Sequence, residues 1–303
     1  MSTDTDNILT KLSDSMVAAV ERAGAGTVLV DARRRIPASG IAYESDLILT
    51  ANHVLEREED VKIVLPDGSE VPASLAGRDH GSDLALLRLE KASAAVAEIA
   101  PQPARVGQLV LALGRPTPDG VQASLGIVSV VGGPVRRKHG GLLEQHFRTD
   151  AIPYPGFSGG PLIDTAGLIL GVNTSGLSRH ASLTIPVQLA WQIAGSLAES
   201  GSVRRGYLGV RTQLVNLPPT QQQALERQQD DGVLLVEVVT GGPAETGGLL
   251  VGDIVVAIDG KPVADPDELL ARLTGEIVGN PTSVEVLRGG QPLTVTVTIG
   301  ERK

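Results

Sequence analysis

At 303 residues, 42% of them apolar, the chain has enough material for about two domains with buried cores, and an aromatic content of only 2% makes those cores aliphatic. A net charge of −9 argues against a nucleic-acid partner, which calls for a basic footprint; the concentrated basic runs, Arg33-Arg34-Arg35 and Arg136-Arg137-Lys138, read as solvated loops. The absence of cysteine excludes disulfides, thiol catalysis and cysteine-ligated zinc, and suits a reducing compartment.

In chain order, Ile8, Leu12, Met16, Val17 and Val20 recur at helical spacing and predict an amphipathic helix over residues 6–22. This segment lacks a basic stretch followed by an apolar one, so no signal peptide is expected. No run approaches the ~18 apolar residues of a membrane span, and the expectation is a soluble, cytoplasmic protein. From Thr27 to about Pro186 the pattern turns to strands: TVLVDA, DLILTA, DVKIVLP, DLALLRL, QLVLALG, SLGIVSVVG and GLILGVNTS, each bounded by Gly, Pro, Asp or Asn. Several are continuous apolar runs, as in strands buried within barrels. VQLAWQIAGSLAE, residues 187–199, returns to helical spacing, with Gly201 as its stop.

A second block begins near Arg204, with strands VLLVEVV, DIVVAID, TSVEVLR and PLTVTVTI. The last places Leu293, Val295, Val297 and Ile299 on one face and threonines on the other. In DPDELLARL, Asp265 is an N-cap, Pro266 fills the first helical position and Glu268 follows three residues after the cap, which predicts a helix start. The reading is an all-β first domain followed by a small α+β module.

The chemistry centres on YPGFSGGPLID, residues 154–164. Gly156-Phe157-Ser158-Gly159-Gly160 fits G-x-S-x-G, but the elbow that motif denotes needs a helix after the serine and a later acid and histidine. Here Pro161 follows three residues later, LIDTAGLILGV reads as two strands around a turn, and His180 is too close. The opposite order fits. His53 ends the strand ILTANHVLE, Asp83 opens the strand in HGSDLALLRL, and Ser158 comes last. His, Asp, Ser is the chain order of two-barrel, chymotrypsin-type proteases.

LTANHV, SDLALL, TDAIPYPGFSGGPL and GVNTSG resemble the HtrA family of trypsin-like serine proteases, and RRGYLGV with GGPAETGGLLVGDIVVAIDGKPV resembles the PDZ domain that follows the protease there. The resemblance covers about residues 27–300. It implies a mainly β fold: a chymotrypsin-like double β-barrel followed by a small α+β PDZ domain. The expected boundaries are a helical segment at 1–25, a protease domain at 26–200, a linker at 201–206 and a PDZ domain at 207–303. By this match Ser158 is the nucleophile, His53 its general base and Asp83 the group that orients the imidazole. The N–H groups of Gly156 and Ser158 form the oxyanion hole, Ile152 and Pro153 line the S1 pocket, and Asn173, Thr174 and Ser175 form the strand that pairs with substrate. Tyr207, Leu208, Gly209 and Val210 form the PDZ carboxylate loop, with DPDELLARL as the groove helix. The implied function is endoproteolysis of unfolded or damaged proteins, with the PDZ domain recruiting or sensing polypeptide C-termini; the alternative is a silent protease fold acting as a peptide-binding or chaperone-like module. No metal or cofactor is expected. A homotrimer is implied by the family alone.

Other candidates read as structural: Asp79 and Asp164 as turn formers, Asp150 as a turn or salt-bridge residue, and His80, His139, His146 and His180 as core or surface residues. Relatives in the HtrA family usually carry Asn before the nucleophile, and digestive trypsins Asp; this chain has Phe157. Activation by an inserted N-terminal amine is therefore unavailable, and the oxyanion loop must be held by other contacts, with burial of Phe157 as the candidate. The loops GRPTPDG and VGGPVRRKHGG also depart from the family's wording. The short 201–206 stretch suggests that a peptide held by the second module sits near the active site.

Overall fold

The computed structural model of the chain describes residues 7–92, 94–133, 135–136, 142–143, 145–177, 182–203, 206–225, 227–273 and 277–301. The described residues up to Ser202 form one compact unit and those from Val203 a second. Their boundary lies inside the 201–206 stretch, of which positions 204 and 205 are outside the described residues.

In the first unit, α1 (Ile8–Gly24) is capped by the Asn7 side chain, which accepts from Leu9 N at 3.0 Å. The expected stripe is covered only in its C-terminal half, where Met16 and Val20 are half-buried. Ala19, Ala23 and Gly24 are buried, whereas Ile8, Leu9, Leu12 and Val17 are exposed. Small residues permit the close approach to the barrel; Gly24 sits against Val121.

Six strands follow: β1 (Thr27–Asp31), β2 (Ala38–Glu44), β3 (Leu47–Ala51), β4 (Val61–Val64), β5 (Glu70–Asp79) and β6 (Leu84–Leu89). They close in the order β1-β2-β3-β6-β5-β4, all antiparallel. Val30, Ile48, Ile63, Ala85 and Leu87 pack inside. This explains the continuous apolar runs, since inward residues meet the barrel core and outward ones meet neighbouring elements.

The second barrel uses β7 (Leu109–Thr117), β8 (Gly120–Gly132), β11 (His146–Thr149), β12 (Pro161–Ile163), β13 (Ile169–Thr174) and β14 (Leu183–Pro186), closed in the order β11-β14-β13-β12-β7-β8. A short pair, β9 (Val135–Arg136) and β10 (Leu142–Leu143), lies between β8 and β11. β7 packs against β1 and β2 and so joins the barrels. The β12–β13 turn is the predicted one: Asp164 Oδ1 accepts from Ala166 N and Leu168 N, and Gly167 N donates to Asp164 O. α2 (Val187–Ser200) ends at Gly201, whose left-handed φ of 72° lets its N–H reach Leu197 O.

The second unit contains β15 (Gly206–Tyr207), β16 (Val210–Asn216), α3 (Pro219–Ala224), β17 (Asp231–Val238), α4 (Pro243–Thr246), β18 (Ile254–Ile258), β19 (Lys261–Pro262), α5 (Pro266–Arg272), β20 (Pro281–Arg288), β21 (Gln291–Thr298) and β22 (Gly300–Glu301). The main sheet runs β16-β17-β18-β20-β21, with β19 on β18 and β15 paired to β22. Asp265 caps α5 as predicted, accepting from Asp267 N at 2.7 Å and Glu268 N at 2.8 Å, a cap worth about 1 kcal/mol. The β21 alternation holds at Val297, which is buried, while Leu293 at the strand's start is exposed. The sheet and helix α5 enclose one aliphatic core that includes Leu208, Val233, Val255, Leu269, Val284 and Val297.

Candidate active site

His53 lies in a short 3-10 turn, Asn52–Val54, directly after β3. Asp83 precedes β6, the neighbour of β3, so strand pairing brings base and acid together; Asn52 N donates to Asp83 O at 2.8 Å. The Asp83 carboxylate is buried and saturated. It accepts from His53 N at 3.0 Å, pairs with His53 Nδ1 at 2.7 Å and accepts from Thr174 Oγ1 at 2.5 Å. With Nδ1 facing a carboxylate, that nitrogen carries the ring proton and Nε2 is left as the base. Asp83 also holds a left-handed φ of 62°, a conformation costing an L-residue roughly 1–2 kcal/mol. Such strain collects at functional sites when surrounding bonds enforce it.

Ser158 sits between β11 and β12. Phe157 N donates to Tyr154 O at 3.0 Å, and Pro155 and Gly156 occupy the two central positions of this turn. Gly156 has a φ of 93°, so the turn is type II, for which glycine is the fitting residue. Gly159 has a φ of 84°, and a Cβ there would run into the Ser39 carbonyl and the Thr50 hydroxyl. Phe157 O accepts from Gly160 N at 2.9 Å. In the trans peptide joining Phe157 to Ser158 this turns the Ser158 N–H to the opposite side. Among the described residues, the N–H groups of Gly156 and Ser158 donate to no protein acceptor.

Ser158 Oγ does not reach His53 directly. It meets Ser175 Oγ at 3.1 Å, and Ser175 Oγ lies 3.4 Å from His53 Nε2. Catalytic hydrogen bonds in ligand-free sites are often long and tighten when substrate binds. Behind them, Gly176 leaves room for the acid–base pair, because a Cβ there would lie 2.5 Å from both Asp83 Oδ2 and His53 Nδ1.

Phe157 is fully buried in the second-barrel core. Its ring meets Tyr154 edge-on at 5.5 Å and fills the space over Gly114, where a Cβ would lie 2.5 Å from Phe157 Cδ1. The residue before the serine is thus an apolar anchor, with no ion pair.

A cleft of about 380 Å³ opens beside Ser158, lined by Pro153, Tyr154, Pro155, Gly156, Asn173, Thr174, Ser175 and Ser182, with Arg33, Arg35, Ile36 and Glu56 on the first-barrel side. A smaller pocket shares Pro153, Asn173 and Ser182 and adds Arg148, Thr149, Ala151 and Thr184. Pro153 lines both, but Ile152 lines neither and is 60% exposed. Asn173 lines both clefts, and its backbone is already engaged. Its N–H donates to Gly160 O, its carbonyl accepts from Gly159 N, and its side-chain amide bonds Pro161 O and Thr184 Oγ1. Asn173 holds the serine loop. Thr174 is buried with its hydroxyl on Asp83, and Ser175 lies beyond the end of β13 with its hydroxyl in the site.

Asp79 is the turn former expected, accepting from Gly81 N and Ser82 N. Asp150 accepts from Ile127 N at 2.6 Å. His146 Nδ1 contacts Gly133 O at 3.1 Å, and His139 and His180 lie outside the described residues. Sequence spacing offered no signal for Ser39, Gly114 or the Thr174 hydroxyl, whose roles depend on contacts between distant strands.

In the second unit, Gly209 takes a φ of 77°, Leu208 is buried, and their carbonyls accept from Ala244 N and Val239 N, each at 2.8 Å. The N–H groups of Leu208 and Gly209 have no acceptor among the described residues. β16, which continues from this loop, pairs with β17 on one side and is the sheet's edge; α5 packs beside it.

The trypsin-like peptidase domain family matches residues 38–172, and the PDZ domain family matches residues 206–299. A probable periplasmic serine endoprotease, DegP-like, from Halomonas elongata is 33% identical over 276 residues; the match covers 89% of this chain and 57% of that protein, so the chain spans little more than half the length of this relative. The solved structure of the HtrA-type protease AlgW with tripeptide superposes with a TM-score of 0.80 at 32% identity, over 95% of this chain and 97% of that one. The serine endoprotease from Yersinia pestis gives a TM-score of 0.75 at 28% identity, over 95% and 98%. Barrels, serine loop and C-terminal module define a trypsin-like peptidase joined to a PDZ domain. The chain belongs to the HtrA-type, DegP-like family of these serine proteases.

Proposed function

We propose that the protein is a serine endopeptidase acting on unfolded or damaged polypeptides, with His53, Asp83 and Ser158 as its triad and a PDZ domain that captures polypeptide C-termini. The observation that carries the reading is the buried Asp83 carboxylate, bonded to His53 Nδ1 at 2.7 Å, on the same site as a serine whose loop has two backbone N–H groups with no acceptor among the described residues. In the reaction, His53 Nε2 takes the Ser158 proton as Oγ attacks the scissile carbonyl, displacing the Ser175 hydroxyl from between them. Asp83 stabilises the imidazolium, and Gly156 N–H and Ser158 N–H bind the oxyanion, each donor contributing about 3–4 kcal/mol. His53 then protonates the leaving amine, and water repeats the sequence on the acyl-enzyme.

For the residue before the cut bond, Pro153 offers an apolar wall, and the charged side chain of the adjoining pocket is Arg148. A Lys or Arg substrate side chain would meet like charge there without a partner. Peptide-library cleavage is expected after Val, Ala, Leu or Ile, favoured over Lys or Arg by about 10²-fold, the range such pockets reach. Cleavage mainly after Lys or Arg would refute this pocket assignment.

The Leu208–Gly209 loop fits capture of a terminal carboxylate by backbone N–H groups, with the peptide added as a strand along the β16 edge beside α5. Amidating a peptide's C-terminus removes the charged acceptor, and calorimetry on the full chain is expected to show affinity weakened by about tenfold or more, given about 1.5–3 kcal/mol for a charged hydrogen bond. Equal affinities for acid and amide would remove the carboxylate-loop reading and leave the protease reading intact. Substrate held this way is present at raised local concentration, which lowers the apparent KM for chains with apolar C-termini.

A further inference from the structure

We infer that Ser39 is the positioning residue that sets the oxyanion loop, an inference resting on the reading of Ser158 as nucleophile with Gly156 N–H and Ser158 N–H as its anion donors. Ser39 lies on β2 of the first barrel, fully buried, yet it binds the second-barrel serine loop twice. Its N–H donates to the Ser158 carbonyl at 3.1 Å, and its hydroxyl donates to the Gly156 carbonyl at 2.7 Å.

The direction of the hydroxyl is fixed. Arg115 N donates to Ser39 Oγ at 2.8 Å, so the single hydroxyl proton is left for Gly156. The Ser39 carbonyl accepts from Thr50 Oγ1 at 2.7 Å, which holds the residue from the other side. Arg115 is a firm support: its buried guanidinium donates to Thr27 O at 2.8 Å and Gly24 O at 3.2 Å, at the end of α1.

This matters because of what Phe157 cannot do. A buried ring fixes where the loop sits, but it exerts no directional pull on the peptide planes to either side. The plane joining Gly156 to Phe157 is set by hydrogen bonds at its two ends, Ser39 Oγ on the carbonyl and Tyr154 O on the N–H. Unless the changes in ψ of Gly156 and φ of Phe157 cancel, rotation of that plane turns Gly156 N–H and Ser158 N–H relative to one another. Glycine at 156 leaves such a rotation sterically open, so the two hydrogen bonds oppose it, and the Ser39 hydroxyl is the one reached from the first barrel.

The test is Ser39→Ala in the full chain. Phosphonylation of Ser158 by a fluorophosphonate and kcat for a peptide ester are each expected to fall about 10²-fold, the effect of misplaced catalytic groups, with KM held within about twofold. A peptide boronic acid, which forms a tetrahedral adduct, should lose affinity by a similar factor, while a product peptide binds as to the parent. A merely structural serine would lower thermal stability without separating these ligands. Ser39→Cys, whose thiol is a weaker donor, is expected to lose about tenfold and serves if the alanine variant lacks a cooperative melt. Parent-like phosphonylation and kcat in either folded variant would overturn the inference alone. Absence of labelling in the parent protein would overturn the nucleophile reading and this inference with it.

Discussion

Replacing Ser158 by alanine is expected to abolish casein cleavage, with kcat reduced by about 10⁶-fold and both units still folded. His53→Ala should cost about as much, because an unactivated hydroxyl is a poor nucleophile at neutral pH. Asp83→Asn is expected to lose about 10⁴-fold by stabilising the wrong imidazole tautomer. It carries a further penalty here: His53 N donates to one carboxylate oxygen and Thr174 Oγ1 to the other, so the amide's NH2 faces one of these donors whichever way it is turned. Casein digestion by the three purified variants, with circular dichroism to check the fold, measures all of this. Parent-like cleavage by the Ser158→Ala protein would remove the mechanism.

Phe157→Ala is expected to act on stability and catalysis together. The side chain is fully buried and seated over Gly114, and deleting a buried phenylalanine costs about 3–5 kcal/mol. For a unit of this size the melting temperature should fall by about 10 °C. The loop freed by the cavity carries Gly156 and Ser158, so fluorophosphonate reactivity should drop by about 10²–10³-fold, as when an oxyanion donor is lost. Phe157→Leu fills most of the space and should retain the larger part of both properties. Calorimetry together with labelling rates decides the matter; a Phe157→Ala protein that melts and reacts like the parent would show that the ring is no anchor.

The legible and illegible parts of the sequence divide along physical lines. Strands such as DLILTA and DLALLRL announce themselves because both faces are buried in the barrel and nearly every position is apolar. β2 and β5 do not. ASGIAYE is built of small residues because Gly40 lies under Ile48, Val30 and Val28, and EVPASLAGRD carries Pro72 and a bulge near Gly77. The order His53, Asp83, Ser158 could be read because it is linear information. Contacts from Ser39 to Gly156 and Ser158, or from Thr174 to Asp83, join residues about a hundred positions apart and leave no local trace. The exposure of Ile152 and the bonded backbone of Asn173 were illegible for the same reason: adjacency to a motif says nothing about which way a side chain faces or which hydrogen bonds its backbone already makes.

Helix α1 gives an intermediate case. Its periodicity and its face were legible, since Met16 and Val20 are half-buried beside Ala19 and Ala23, but Ile8 and Leu12 at the start of the same stripe are exposed. Periodicity reports which face a helix can bury; how much of that face is covered depends on the surface it meets.

The central claim is that Ser158 is an activated nucleophile. Its most direct measurement is fluorophosphonate labelling of the purified full chain, quantified by intact mass and located by peptide mapping. The account predicts one label per chain, on Ser158, lost in the His53→Ala protein. An unlabelled parent protein, or a label that persists without His53, would contradict it and favour a silent protease fold acting through its peptide-binding module.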